Sequence, residues 1–105
     1  MTEYRLVLTT ASSKEEACKI ARSLVERRLA ACVNLVAQVE SVYRWQGTIE
    51  ETQEWLLIIK TTSAAFERVR DTITELHSYD LPECICLVID DGSADYLKWL
   101  GDSLE

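Results

Sequence analysis

The sequence has one proline and three glycines in 105 residues, and no stretch is rich in either, so it holds no linker or low-complexity tract. Gly47, Gly92 and Gly101 are too few and too scattered to write a P-loop or a dinucleotide-binding fingerprint. With a single histidine, any histidine-based triad must use His77, and no Gly-x-Ser-x-Gly elbow is present. Basic runs are missing too, the longest being Arg27-Arg28. Eleven Lys and Arg against eighteen Asp and Glu leave a formal charge of −7, which excludes a nucleic-acid backbone as partner. No segment approaches the roughly 20 apolar residues that cross a bilayer, so no membrane span is expected. The first residues, Met1-Thr2-Glu3-Tyr4-Arg5, lack the basic and apolar regions of a signal peptide. The expected compartment is the cytoplasm, where Cys18, Cys32, Cys84 and Cys86 are thiols rather than disulfides.

What is present is globular. At 48% hydrophobic the composition supports one core, and residues 1–105 read as a single domain. Tyr4 to Thr10 is rich in strand formers, with Leu6-Val7-Leu8 apolar on both faces. Ser12 with Glu15, or Ser13 with Glu16, writes a capping box. Ala17, Ile20, Ala21, Leu24 and Val25 follow at helical spacing, so a helix is expected over about 13–29. Cys32 to Trp45 and Ile49 to Thr62 read as two strands joined at Gln46-Gly47. Fourteen extended residues would reach about 46 Å. A compact chain of this size has a radius of gyration of about 13 Å. Unless a bulge bends it, the hairpin outreaches its own domain, and a partner subunit is the expected cover for its edge.

Ser63 is placed to cap a second helix over about 64–77, with Phe66, Val69, Ile73 and Leu76 on one face. Ser78 to Pro82 is a turn, and Cys84 to Ile89 a fourth strand apolar on both faces. Ser93 caps a short helix with Tyr96, Leu97 and Leu100 inward. The order βαββαβ plus a C-terminal helix is an α+β, ferredoxin-like split βαβ sandwich. Right-handed crossovers place the helices on one face of an antiparallel sheet.

Few side chains carry chemistry. His77 ends a helix, where an imidazole hydrogen-bonds nearby carbonyls; alternatively it and Glu83 are metal ligands, the pair suiting zinc or copper. Cys84 and Cys86 share one face of a strand, and their spacing is not that of a zinc knuckle, so they read as small core residues. Tyr43 and Trp45 beside Gly47 read as subunit-interface anchors or as the wall of a ligand cleft. Glu50, Glu51 and Glu54 read as a solvated face or polar rim. With these residues the chain is expected to be non-catalytic.

Several stretches together resemble the CutA family of divalent-cation tolerance proteins. They are Arg28-Leu29-Ala30-Ala31-Cys32-Val33-Asn34, Ser41-Val42-Tyr43-Arg44-Trp45-Gln46-Gly47, Leu57 to Thr62, His77 to Glu83, and Gly92 with Tyr96 to Leu100. The resemblance implies a ferredoxin-like fold and a homotrimer similar in architecture to PII signalling proteins. It implies a link to divalent metals, copper especially, with His77 and Glu83 at the positions of proposed ligands. Thr9 stands where some members have a ligating cysteine, and it is a poor copper ligand. The PII-like architecture implies an alternative: a regulatory module binding a small ligand or partner protein in inter-subunit clefts.

Overall fold

The computed structural model describes residues 2–104; Met1 and Glu105, the ends of the expected domain, lie outside the described residues. The elements run β1 (Tyr4–Ala11), α1 (Lys14–Glu26), β2 (Cys32–Trp45), β3 (Thr48–Thr62), α2 (Phe66–Leu76), β4 (Ile85–Val88) and α3 (Ala94–Asp102). The strands form one antiparallel sheet in the order β2-β3-β1-β4. This is the expected ferredoxin-like arrangement with its C-terminal helix.

Side chains alternate across a strand, so register decides which residues share a face. Val7 lies opposite Ile59, Thr9 opposite Leu57 and Ala11 opposite Trp55. That face is the core: Val7, Ala11, Leu57 and Ile59 cluster with Ile20 and Leu24 of α1 and Val69 and Ile73 of α2. The other face carries Leu6, Leu8, Leu56 and Ile58. α1 and α2 do not cover it. At one end Gly101 of α3 sits against the Tyr4 ring, where a Cβ would come within 3.2 Å of the hydroxyl oxygen.

Helix α1 starts as the capping box predicts, with Glu16 N–H donating to Ser13 Oγ at 3.1 Å. It stops at Glu26, short of the expected 29, because Arg28 turns left-handed at φ 58°. Arg28 N–H then reaches Val25 O at 3.1 Å and Leu29 N–H reaches Leu24 O at 2.9 Å, a Schellman closure. α2 begins at Phe66 and not near Ser63, since residues 63–65 form a turn in which Thr62 Oγ1 accepts from Ala65 N–H. Ser93 precedes α3 without a side-chain cap, and Tyr96 is exposed rather than inward.

The hairpin closes in two residues, Gln46 (φ 49°) and Gly47 (φ 80°), the left-handed pair that matches strand twist. Its long strands give the molecule extents of 44 × 25 × 23 Å. A bulge does bend it: Val36 pairs with Leu56 and Val39 with Glu54, so Ala37 and Gln38 together oppose Trp55. Gln38 takes φ 58° to do so.

β4 departs from expectation. It is only four residues long, at the sheet edge, and all four are exposed. Ile85 and Leu87 stand 47% and 43% exposed, because they point to the face that α1 and α2 leave bare. Cys84 packs half-buried on the core, but Cys86, on the edge strand, is exposed.

Candidate functional site

The segment after α2 gathers the polar chemistry of the chain. β1 ends at Ala11, opposite Trp55, while β3 continues past it. The segment from His77 wraps the vacated corner and meets side chains from α1 and β3.

His77 leaves the helix with ψ 144° and turns its ring inward, with no exposed side-chain surface. Its Nε2 lies 2.6 Å from Thr10 O, and a carbonyl only accepts, so Nε2 carries the proton. Its Nδ1 accepts from Tyr79 N–H at 3.1 Å. Glu16 Oε1 stands 3.5 Å from the same Nδ1. The helix-end reading is what the structure shows, with the carbonyl supplied by β1.

Glu16 is the hub of this corner. Burial opposes its charge. The N–H and hydroxyl of Ser78, the hydroxyl of Ser12 and the nearby His77 ring outweigh that, and its carboxyl sits below the ordinary range.

Across the corner, Tyr79 Oη donates to Glu54 Oε2 at 2.7 Å. Burial, then the bond to the Glu54 carboxylate and its charge, push the Tyr79 phenol far above its ordinary value, so it stays neutral. Glu54 is only 6% exposed, so it is not the rim residue the sequence suggested. It shares a face with Leu56 and Ile58, and that alternation was the signal that would have found it. The Glu83 carboxyl is raised, by partial burial first and then by the charge of Glu54.

Tyr43 and Trp45 belong to the same neighbourhood because of the bulge. Before it, even-numbered β2 residues share the Leu56–Ile58 face; after it, Val39, Tyr43 and Trp45 do. The two rings face Ser78, Tyr79, Asp80 and Leu81 across a cleft of about 340 Å³. This is the one expected pairing of wall residues that the structure brings together, and the opposite wall comes from the same chain.

His77 and Glu83 are held differently. The contacts of His77 are Thr10, Glu16 and Tyr79, whereas Glu83 feels Glu54. Both His77 nitrogens are engaged, which leaves no lone pair directed at a metal. Thr9 is fully buried on the core face, its hydroxyl without a partner. Among the described residues, no three His, Cys, Asp or Glu side chains converge as a ligand group. One protomer therefore offers no ready-made copper or zinc site.

The comparisons with known proteins settle the family. Residues 5–103 match the CutA1 divalent ion tolerance protein family. The chain belongs to that family. A divalent-cation tolerance protein CutA from Thermus thermophilus is 48% identical over 98 residues, which cover 93% of this chain and 95% of that protein. The human protein CutA is 43% identical over 91 residues; the match spans 87% of this chain but only 51% of the human one. Among solved structures, CutA from Xylella fastidiosa superposes with a TM-score of 0.97 at 38% identity, covering 99% of this chain and all of that one. The Thermus thermophilus structure gives 0.91 at 48% identity, with 92% and 94% covered. The CutA fold is thus shared over nearly the whole chain.

Proposed function

We propose that this CutA-family chain works as a non-catalytic homotrimer in the tolerance of divalent cations, copper and zinc foremost. The observation that carries the assembly is the bare face of the sheet. Val36, Ile85 and Leu87 are 40%, 47% and 43% exposed there, and Leu6, Leu8 and Ile58 lie beside them half-buried. An apolar face of this kind on a sheet with helices on one side is an association surface. Four free cysteines support a reducing compartment, the cytoplasm. Light scattering at micromolar concentration tests the assembly. The expected mass is three times the 12.0 kDa of one chain, and a 12.0 kDa particle overturns it.

Direct metal ligation by Glu83 with His77 is a second reading, favoured by one observation. After burial, the charge of Glu54 adds to the cost of ionising Glu83, and a bound cation would relieve it. Ligation by His77 would require Nδ1 to give up Tyr79 N–H. Equilibrium dialysis of reduced protein against copper(II) and zinc(II), with His77→Ala and Glu83→Gln beside the parent, separates the readings. Metal bound by the parent and lost in both variants supports direct ligation. Metal retained in both, or none bound by the parent, removes it and leaves the metal relation indirect.

A further inference from the structure

We propose that the cleft between the hairpin end and the 78–81 turn binds a compact organic ammonium group, in the manner of an aromatic cage. Three aromatic rings meet there: Tyr43 and Trp45 from one strand and Tyr79 from the turn. Tyr43 and Trp45 are two residues apart on one face, so their rings stand about 7 Å apart at the base. That spacing admits a methylated or primary ammonium head between them. The volume of about 340 Å³ suits a small ligand and leaves little room for a large one.

The charge around the cleft selects the sign of the ligand. Among the described residues no Lys or Arg lines it, and Asp80 does. Behind Tyr79, Glu54 Oε2 accepts a hydrogen bond from the phenol, oxygen to oxygen 2.7 Å, which adds electron density to that ring. Aromatic faces are the negative end of the ring quadrupole, so three rings with two carboxylates attract a cation and repel an anion. Burial first, then the bond to Glu54 and its charge, keep the Tyr79 phenol protonated, so its ring stands uncharged in front of that carboxylate.

A divalent metal is the wrong cation for this cleft. Among the described residues Asp80 is the only carboxylate lining it, and hard cations require several oxygen ligands to replace their water. An alkylammonium sheds its water more readily and gains from ring contact. The inference therefore goes beyond the metal reading, and neither depends on the other.

The test uses the full chain in its native assembly, with choline as the probe. Its neutral isostere, 3,3-dimethylbutan-1-ol, is the control. The chain has three tryptophans, so its ¹⁵N spectrum carries three indole signals, and the one absent from Trp45→Phe is Trp45. Choline is expected to shift the Trp45 indole saturably, and the alcohol to bind about tenfold more weakly, the size of a desolvated cation–π gain. Tyr43→Leu, at a residue 42% exposed and so tolerant of change, should weaken choline by a similar factor. Asp80→Asn should weaken it less and leave the alcohol unchanged. Equal binding of choline and alcohol would show an apolar pocket and overturn the proposal. No shift with either would show a cleft closed by a neighbouring subunit, and would overturn it too.

Discussion

Glu16 on the first helix and His77 at the end of the second stand 3.5 Å apart, Oε1 to Nδ1, although sixty residues separate them. The carboxylate also gathers the N–H and hydroxyl of Ser78, so one side chain ties α1 to the segment that builds the cleft. What happens at this corner governs both stability and the placement of Tyr79.

Replacing His77 should destabilise the fold before it affects any ligand. His77→Ala opens a cavity under a ring with 0% exposure and strands Thr10 O and Tyr79 N–H. A loss of about 2–4 kcal/mol is expected in urea unfolding at fixed protein concentration. A loss below about 0.5 kcal/mol would show that solvent replaces both hydrogen bonds freely.

Glu16 should make the protein acid-sensitive. Its folded pKa lies below its ordinary value of 4.5, so its stabilisation is present above about pH 4.5 and is lost as pH falls through the folded value. Glu16→Gln should lower stability by about 1–2 kcal/mol at pH 7 and converge with the parent in acid, once the pH has fallen through the folded value. Parallel pH–stability curves for the two proteins would contradict this.

Glu83 should behave in the opposite sense. Its folded pKa is raised, so its contribution is most favourable below the unfolded value and is lost as pH rises through the folded one. Glu83→Gln should therefore stabilise the metal-free protein at neutral pH and leave it unchanged in acid. Thermal melts at pH 3 and pH 7 in the presence of a chelator read the difference.

Thr9 carries an orphaned hydroxyl in the core. Thr9→Val keeps the shape and removes the unpaired polar group, and should add about 1–2 kcal/mol to unfolding stability. A loss instead would reveal a partner for that hydroxyl in the assembled protein.

The elements that periodicity specifies are the ones the sequence predicted well. α1 and α2 follow their apolar stripes, and the hairpin turns at Gln46-Gly47. The corner was harder to read, because its contacts join residues far apart in sequence. Glu54 looks like a rim residue among Glu50 and Glu51 until Tyr79, 25 positions later, is placed over it. The bulge carries no signature either: glutamine is not a residue that advertises a left-handed backbone. The apolar run of β4 marks a two-faced strand only if something covers both faces, and one protomer does not.

The bulge at Gln38 makes the address of Tyr43 and Trp45 a matter of counting. Their side of the ribbon depends on how many residues lie between the core and the turn, and not on which residues those are. Deleting Gln38 alone would remove the bulge and leave Tyr43 and Trp45 opposite Glu50 and Thr48 on the same side; keeping Gln38 but pairing it regularly would send both rings to the far side. Trimming one residue from each strand between the bulge and Trp45 would send that ring to the far side. Trimming two from each would restore the side and draw the tip in by about 7 Å. Among related hairpins with the bulge kept, even changes in the length of each strand beyond it should keep the cleft, and odd ones should abolish it.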